Sequence, residues 1–523
     1  MNSKRGGRMD LSSQFSQVVK NYGDKTAFII EQEHITYNQL EQKINQFASG
    51  LIALGLEKGD HVGLILGNSP HFIISFYGAI RAGMKIIPIN PVFTPNELVY
   101  LLNNGDVKCV ITNDLLIPTF ERIDYQLQQL EKIIVCETSQ GRRPYADRKA
   151  FIIYDKMKTF SDLLSKGTPN YIGPNLDEDD IASILYTSGT TSKQKGVMLT
   201  HKNLLCNAAS TSQSLRMTND DIVVTALPMF HNFCLTVALN APLLSGATVV
   251  ILPRFSPSEI FQLVNTYQAT IFVGIPTMYN HLLQFKDSNN KDFKSLRLCI
   301  SGGASMPIAL LREFEKNFNA MISEGYGLAE ATAVTCFNRL DQQRKHGSIG
   351  QCTSNVEIKI VNEFCEEVLP NHIGELIVKG PNVMKGYYNF PEETKRTIRN
   401  GWLYTGDLAK KDEDGYFFIV GRKKESITIA GVKVYPREIE EILYSHKDVL
   451  EAIVIGIPDL AYGEKIHCFV VVKNKKLTEE MLRNYCKGLL ANYKLPSAIH
   501  FLKELPKNKA GKVLTNRLKE QIL

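Results

Sequence analysis

The stretch ILYTSGTTSKQKGVMLTH, residues Ile184–His201, carries the strongest indication of both the fold class and the chemistry of this chain. Its apolar start continues the run SILY and predicts a buried strand. Six consecutive hydroxyl or glycine residues follow: Thr187, Ser188, Gly189, Thr190, Thr191 and Ser192. Such a loop after a strand suits a phosphate, because glycine lets the backbone approach closely while hydroxyls and N–H groups surround the oxygens. We therefore interpret this loop, together with Lys195, as a phosphate-binding segment.

The loop is not a P-loop, because no GK[ST] follows the glycine at the spacing that a P-loop requires. This absence removes the main support for a kinase or a GTPase. The alternative is an ordinary polar loop. This is the weaker interpretation, because six hydroxyl or glycine residues follow one another directly after a buried strand.

Around this stretch, apolar runs alternate with amphipathic segments. HVGLILGN (His61–Asn68) predicts a buried strand, SPHFIISFYGAIRAG (Ser69–Gly83) predicts a helix, and MKIIPINP predicts a return strand. The same alternation recurs downstream, where ATVVIL, ATIFVGIP and LRLCISGG predict buried strands. Repeated strand–helix–strand units predict a doubly wound α/β core.

After about Ser348 the pattern changes. VEIKIV, GELIVKG and GYFFIVGR predict strands joined by glycine turns, and hence a small β-rich part. A compact α/β pattern then runs to the end of the chain. We place a domain boundary near Arg422–Lys424.

Composition excludes several classes of protein. The chain has 523 residues, too many for one ordinary hydrophobic core, so two or more domains are expected. Its formal charge of +6 suits polyanionic small molecules and does not indicate nucleic acid. Ten scattered cysteines with no CxxC pair suggest reduced thiols in a cytoplasmic protein, not a zinc site. Neither a secretory signal nor an apolar run of about 20 residues is present.

Four motifs, in order, resemble those of the adenylate-forming (acyl-activating) superfamily, in its acyl-CoA synthetase branch. The first is the loop above, where members usually read YTSGTTGxPKG and this chain has Ser192 and Gln194 instead. The second is SEGYGLAEA (Ser323–Ala331), in which the family usually has Thr or Ser at the position of Ala329. The resemblance implies that Gly325, Tyr326 and Gly327 bind the adenine side of ATP. It also implies that Glu330, with Thr191, holds Mg²⁺, a cation that prefers oxygen ligands.

The third motif is GWLYTGDLAKKDEDGYFFIVGRKKE (Gly401–Glu425). The resemblance implies that Asp407 binds the two ribose hydroxyls of ATP and that Arg422 makes a second ribose or phosphate contact. The fourth is LPKNKAGKVLTNRLKE, in which Lys512 matches the catalytic lysine that stabilises charge in the transition state. The implied fold is α/β. The resemblance implies that residues 1–422 form a large AMP-binding domain of two doubly wound subdomains and a β-barrel-like part, and that residues 423–523 form a mobile α+β lid hinged at Lys424.

For the acyl site, the resemblance implies catalytic His231 in LPMFHNFCLT and a pocket lined by Phe233, Gly274, Gly302 and Gly303. No Asp or Glu lies between Leu227 and Pro242, which disfavours an amino acid, since its buried ammonium group would lack a partner. A medium- or long-chain fatty acid is expected, with an aryl acid as the chief alternative.

The expected acyl acceptor is coenzyme A, with Gly431 in ITIAGVKVYP beside its pantetheine arm. A fatty-acyl-AMP ligase that loads an acyl carrier protein remains the alternative. The expected small-molecule partners are a carboxylic acid, ATP and coenzyme A, and a homodimer is compatible with the sequence.

Overall fold

In a computed structural model, the described residues are 10–30, 33–137, 153–187, 194–286, 293–429, 432–459, 462–474, 476–507 and 513–522. They fall into two compact units. Unit 1 comprises the described residues up to Phe255, with Gly327–Val334 and Gly380–Gly401. Unit 2 comprises Ser256–Tyr326, Thr335–Lys379 and the described residues from Trp402 onward.

The α-helices and strands have the following bounds. The helices are α1 (Leu11–Tyr22), α2 (Tyr37–Ala53), α3 (Pro70–Arg81), α4 (Pro95–Asn104), α5 (Ile117–Ile123), α6 (Ile153–Lys156), α7 (Phe160–Lys166), α8 (His201–Ser214), α9 (Ala241–Leu244), α10 (Pro257–Tyr267), α11 (Pro276–Gln284), α12 (Ile308–Phe318), α13 (Pro391–Thr397), α14 (Pro436–Tyr444), α15 (Glu479–Lys487) and α16 (Thr515–Lys519). The strands are β1 (Thr26–Ile30), β2 (Glu33–Thr36), β3 (His61–Ile65), β4 (Lys85–Pro88), β5 (Val107–Asn113), β6 (Lys132–Cys136), β7 (Met157–Thr159), β8 (Ile181–Thr187), β9 (Lys195–Thr200), β10 (Ile222–Thr225), β11 (Thr248–Ile251), β12 (Ile271–Gly274), β13 (Leu298–Ser301), β14 (Ile322–Tyr326), β15 (Cys336–Phe337), β16 (Gln351–Cys352), β17 (Glu357–Val361), β18 (Gly374–Lys379), β19 (Gly386–Tyr388), β20 (Ile398–Arg399), β21 (Trp402–Lys411), β22 (Phe417–Arg422), β23 (Ile427–Ile429), β24 (Val432–Val434), β25 (Val449–Asp459), β26 (Gly463–Val472) and β27 (Ala498–Phe501).

Unit 1 contains an eight-stranded sheet in the order β19-β9-β8-β4-β3-β5-β6-β7. The pairs from β8 through β7 are parallel, whereas β9 pairs antiparallel with both β8 and β19. Strands β10, β11 and β1 form a second parallel group that β2 extends in the antiparallel direction. The parallel strands are almost entirely buried, as expected for strands covered on both faces.

Local sequence explains where helix α3 begins and ends. The Ser69 hydroxyl accepts the Phe72 N–H at 3.3 Å, and Pro70 occupies the first turn, where a missing N–H costs nothing. Gly83 lies just beyond the helix with φ of +81°, a conformation that glycine adopts without strain. The predicted helix Ser69–Gly83 is thus confirmed with slightly shorter bounds.

Unit 2 contains three sheet regions. Strands β12, β13 and β14 are parallel, and β15 and β16 add antiparallel pairs beside β14. Strands β17, β18, β21 and β22 form the predicted β-rich part, in antiparallel order. The C-terminal strands run β24-β23-β26-β25, with β27 parallel to β26.

The C-terminal sheet has apolar side chains packed on both of its faces. One cluster includes Ile439, Ile466 and Leu482, and a second includes Phe469 and Leu518. A small sheet with a core on each face is consistent with the predicted α+β lid. Its mobility and the boundary at residues 422–423 stay predictions.

The strands predicted at HVGLILGN, ATVVIL, ATIFVGIP and LRLCISGG are confirmed as β3, β11, β12 and β13. Within the described ranges, no helix combines the length and apolar character that a membrane span needs.

Candidate active site

In unit 1, the phosphate-binding prediction centres on the β8–β9 hairpin. Thr187 ends β8 and pairs directly with Lys195, which begins β9. The predicted loop residues Ser188, Gly189, Thr190 and Thr191 lie outside the described residues. The hairpin therefore places Thr187 and Lys195 at the base of that loop.

The Lys195 ammonium group already has a carboxylate partner. Its Nζ lies 2.6 Å from Oε2 of Glu393 in α13 and 5.2 Å from the ring centroid of Tyr387. Lys195 is the leading cause of a lowered pKa for Glu393. Glu393 thus partly balances the positive charge of Lys195, which the sequence analysis expects to bind phosphate.

Glu330 is oriented by Tyr387, the same tyrosine whose ring lies near Lys195. The Tyr387 hydroxyl donates to Oε1 of Glu330 at 2.8 Å, and the Met384 N–H donates to its backbone oxygen at 2.9 Å. Burial is the main cause of a raised pKa for Tyr387, which keeps this hydroxyl a donor. Tyr387 therefore connects the predicted magnesium ligand to Lys195.

The Glu330 carboxylate suits the magnesium ion that the sequence predicts at this position. Oxygen Oε1 of Glu330 is used by Tyr387, so Oε2 is the oxygen suited to a cation. Among the described residues, no three His, Cys, Asp or Glu side chains form a cluster able to hold a metal. Magnesium commonly takes only one or two protein carboxylates and completes its shell with substrate phosphates and water.

Gly327 precedes Glu330 at a place where the backbone is crowded. A Cβ atom on Gly327 would lie 1.5 Å from the backbone oxygen of Ala333, which no side chain tolerates. Close backbone packing is therefore sufficient to explain why glycine is required at this position.

Replacing Glu393 with glutamine should lower the stability of unit 1 at neutral pH by about 0.5–1 kcal/mol, the scale for a partly exposed ion pair. The pKa of Glu393 is lowered in the folded protein. Its stabilisation is therefore present above the unfolded-state pKa of about 4.3 and is lost as pH falls through the folded value. Urea unfolding over a pH series measures this difference.

Glu392→Gln is the matched control, since the exposed Glu392 side chain forms an ion pair with Lys395 of the same helix and none with Lys195. It should leave the unfolding midpoint unchanged. Equal effects of the two substitutions would refute the special role of Glu393.

His231 lies in an exposed bend three residues before the π-helix Cys234–Asn240. Its Nδ1 accepts the Phe233 N–H at 3.3 Å, which corresponds to a neutral ring with its proton on Nε2. Desolvation lowers the pKa of His231, although the residue keeps solvent access. A neutral Nε2–H donor is what the ring can offer a ligand, and Phe233 beside it is buried.

In unit 2, strand register explains the spacing of the third motif. Asp407 in β21 is the direct partner of Arg422 in β22, although a register shift separates them from the rest of the hairpin. Nε of Arg422 lies 3.2 Å from Oδ1 of Asp407, and the Asp407 side chain is 7% exposed. The hairpin thus brings together two predicted nucleotide contacts.

Tyr326 joins the same cluster from β14. Its hydroxyl donates to Oδ2 of Asp407 at 2.5 Å, and burial, followed by the nearby Asp407 charge, raises the pKa of this tyrosine. Gly325 before it makes room for the Phe337 ring, since a Cβ atom would lie 2.4 Å from that ring. Tyr326, Asp407 and Arg422 therefore form one hydrogen-bonded group.

Replacing Tyr326 with phenylalanine should weaken ATP binding about tenfold, because it removes one hydrogen bond to a charged group and keeps the aromatic ring. Calorimetric titration with ATP measures the change. Tyr326→Leu, which also removes the aromatic face, should bind ATP more weakly still. Equal affinities for the phenylalanine and wild-type proteins would show that the hydroxyl plays no part.

The predicted pocket glycines of unit 2 have structural reasons of their own. A Cβ atom on Gly274 would lie 3.0 Å from the Phe272 ring and 3.4 Å from that of Tyr279. Gly303 has φ of +77°, and a Cβ atom there would only make an ordinary contact with Ile275 at 3.6 Å, so the glycine serves a turn after β13. Gly302, also after β13, is buried. Their role in an acyl pocket stays a prediction.

Of the remaining predicted residues, Lys424 lies in an exposed turn after β22, where the Glu425 and Ser426 N–H groups donate to the Arg422 oxygen. Gly431 and Lys512 lie outside the described residues. The hinge, coenzyme A and catalytic roles of these three stay predictions.

Tyr387 and Glu393 are not among the residues predicted from the sequence. Both lie in GYYNFPEET, where Pro391 marks the start of α13. Nothing in that pattern indicates which carboxylate faces Lys195, because their contact joins residues 198 positions apart.

Comparisons with known proteins agree with the motifs. The family description "AMP-binding enzyme" matches residues 15–388, and "AMP-binding enzyme C-terminal domain" matches residues 438–512. The long-chain-fatty-acid–CoA ligase of Bacillus subtilis (strain 168) is 36% identical, over 98% of this chain and 94% of that protein.

Among solved structures, ATP-bound MatB from Rhodopseudomonas palustris is 31% identical, with a TM-score of 0.90 over 98% of this chain and 99% of that one. A benzoate CoA ligase from Burkholderia xenovorans LB400 is 27% identical, with a TM-score of 0.87 over 98% and 99% of the two chains. These likenesses confirm the predicted family and the α/β fold with a smaller C-terminal domain. The chain belongs to the AMP-binding enzyme family, in the acyl-CoA synthetase branch of the adenylate-forming superfamily.

Proposed function

We propose that this enzyme is an ATP-dependent acyl-CoA ligase for medium- or long-chain fatty acids. In the first half-reaction, the fatty acid carboxylate attacks the α-phosphate of ATP, giving acyl-AMP and pyrophosphate. In the second, the coenzyme A thiol displaces AMP and forms the thioester. The observation that carries the nucleotide half is the buried Asp407 carboxylate, held by Tyr326 and Arg422 with acceptor capacity for hydroxyl groups.

The other residues have complementary proposed roles. Tyr326 offers an aromatic ring to adenine, and Arg422 supplies a charge near the ribose. Lys512 stabilises the negative charge that develops on the reacting carboxylate and phosphate. Magnesium held by Glu330 and Thr191 would neutralise phosphate charge, and Tyr387 keeps Glu330 oriented for it.

The choice of acid rests on two observations. Full-length similarity to a long-chain-fatty-acid–CoA ligase supports a fatty acid. The segment from Leu227 to Pro242 has no carboxylate to pair with a substrate ammonium group, while Phe233 in it is buried and apolar. An aryl acid is the second candidate, favoured by the likeness to the benzoate CoA ligase.

For the acceptor we propose coenzyme A, with Gly431 near its pantetheine arm, and an acyl carrier protein as the alternative. We also propose a cytoplasmic location, which agrees with ten cysteines that are all free thiols.

The test is pyrophosphate release with ATP and Mg²⁺ over an acid panel from butyrate to stearate, with benzoate and phenylalanine included. Each acid is assayed with and without coenzyme A, and thioester is measured directly. We expect the highest kcat/KM with a medium- or long-chain acid, and thioester only when coenzyme A is present. Preference for benzoate would transfer the proposal to an aryl acid. Pyrophosphate release without thioester would favour the carrier-protein alternative.

A further inference from the structure

Two cysteines of unit 2 lie directly opposite each other on neighbouring strands. Cys336 in β15 is the antiparallel register partner of Cys352 in β16. Both are free thiols, Cys336 buried and Cys352 half-buried. Cross-strand partners point to the same face of a sheet, so their sulfur atoms share one side.

The hydrogen-bond pattern places this pair at the closer of the two antiparallel spacings. The Thr353 N–H donates to the Thr335 oxygen at 2.9 Å, so residues 335 and 353 form the hydrogen-bonded pair. The next pair, Cys336 and Cys352, is therefore non-hydrogen-bonded, with Cα atoms about 4.5 Å apart. Disulfides span Cα separations of about 4.4–6.8 Å, most often 5.5–6 Å. The pair lies within this range at its short end.

The strand that carries Cys336 lies next to the one that carries Tyr326, a predicted ATP contact. Tyr326 in β14 is the register partner of Cys336 on the other side of β15, and its hydroxyl donates to Asp407. Disulfides favour Cα separations of about 5.5–6 Å, wider than the spacing of this pair, so closing the bond would move the short strands β15 and β16 apart. Because β15 pairs directly with β14, this change would displace the Tyr326 ring from its place beside Asp407.

We propose that Cys336 and Cys352 form a reversible cross-strand disulfide, and that closing it weakens ATP binding through Tyr326. The disulfide is independent of the proposed function, whereas its effect on ATP rests on that function. The oxidant is a low-molecular-weight disulfide such as oxidised glutathione.

The exchange proceeds in two displacements. The thiolate of the more accessible Cys352 attacks the reagent's S–S bond, forming a mixed disulfide and releasing one reagent thiolate. The Cys336 thiolate then displaces the second reagent thiolate and completes the protein disulfide. The two thiol protons end on the two released thiols, so the protein loses two electrons that the reagent gains. Burial raises the pKa of both cysteines, so the reaction should speed up as pH rises.

Peptide mapping tests the bond in the full-length chain. The background carries Cys365→Ser, because Cys365 is exposed and would form mixed disulfides. Arg339, Arg344 and Lys345 separate the two cysteines, so trypsin places them in different peptides, NFNAMISEGYGLAEATAVTCFNR and HGSIGQCTSNVEIK. After oxidation, alkylation of free thiols and digestion, we expect these two peptides joined, with a mass two hydrogens below their sum.

Calorimetric titration with ATP tests the coupling. Oxidation should weaken ATP binding about tenfold, equal to ~1.4 kcal/mol, and dithiothreitol should restore it. The same background with Cys352→Ser should keep its affinity under oxidant, and an unchanged circular dichroism spectrum would show that the oxidised protein stays folded.

Each result decides one part of the proposal. Absence of the joined peptides, even at alkaline pH where thiolate is plentiful, would overturn the disulfide. Joined peptides with unchanged ATP affinity would overturn the coupling through Tyr326. If the reduced protein binds no ATP, the coupling fails together with the proposed function, while the mapped bond still establishes the modification site.

Discussion

Replacing Asp407 with asparagine is expected to lower kcat/KM for ATP about 100-fold, equal to ~2.7 kcal/mol of transition-state stabilisation. The wild-type carboxylate accepts hydrogen bonds from Tyr326 and Arg422 and retains acceptor capacity for the ribose hydroxyls. The amide has a single acceptor oxygen, carries no charge and turns two donors towards groups that are themselves donors. Steady-state kinetics with ATP varied at saturating acid measures the loss.

Asp412→Asn is the matched control, because Asp412 lies just beyond β21 in the same hairpin and pairs with Lys345 at 2.6 Å. It should leave kcat/KM for ATP near the wild-type value. A comparable loss in both variants would mean that damage to the hairpin, and not the loss of a nucleotide contact, explains the result. Normal ATP kinetics in Asp407→Asn would refute the ribose assignment outright.

Replacing Lys512 with alanine is expected to slow adenylate formation about 100-fold, because the ammonium group stabilises charge that develops only in the transition state. The effect should fall on one half-reaction. Purified acyl-AMP offered with coenzyme A should still be converted to thioester near the wild-type rate. Pyrophosphate release and single-turnover thioester formation measure the two steps separately.

Lys507→Gln serves as the control on the same segment. The Lys507 ammonium group pairs with Glu451, and its strand bridge to Val513 brackets the segment that carries Lys512. Losing that ion pair should cost a little stability and leave adenylate formation unchanged. Equal slowing of both half-reactions in Lys512→Ala would contradict its assignment to adenylation.

Local pattern was sufficient for much of the fold. Four predicted buried strands and the helix ending near Gly83 are confirmed, because period, caps and glycine turns act within a few residues. That Asp407 and Arg422 lie on one hairpin also follows from short-range geometry, whereas the register shift between Leu408 and Ala409 means that only the structure decides their direct pairing.

Contacts between residues far apart in the sequence could not be predicted from the sequence. The partners of Lys195, Glu330 and Asp407 come from strands and helices far along the chain, at Glu393, Tyr387 and Tyr326. The glycine at position 274 illustrates the same limit. The family resemblance placed Gly274 in the lining of an acyl pocket, whereas the neighbouring Phe272 ring supplies a packing reason that depends on tertiary structure.

By itself, the sequence determined the superfamily, the α/β class and the residue types needed for adenylate chemistry, because motifs encode local backbone shape and functional groups. Tertiary structure alone decided which groups face each other: Glu393 against Lys195, Tyr387 on Glu330, and Tyr326 in line with Cys336 and Cys352. The physical reason is that hydrogen bonds and ion pairs act over a few ångströms in space. Only the folded chain brings residues tens or hundreds of positions apart within that distance.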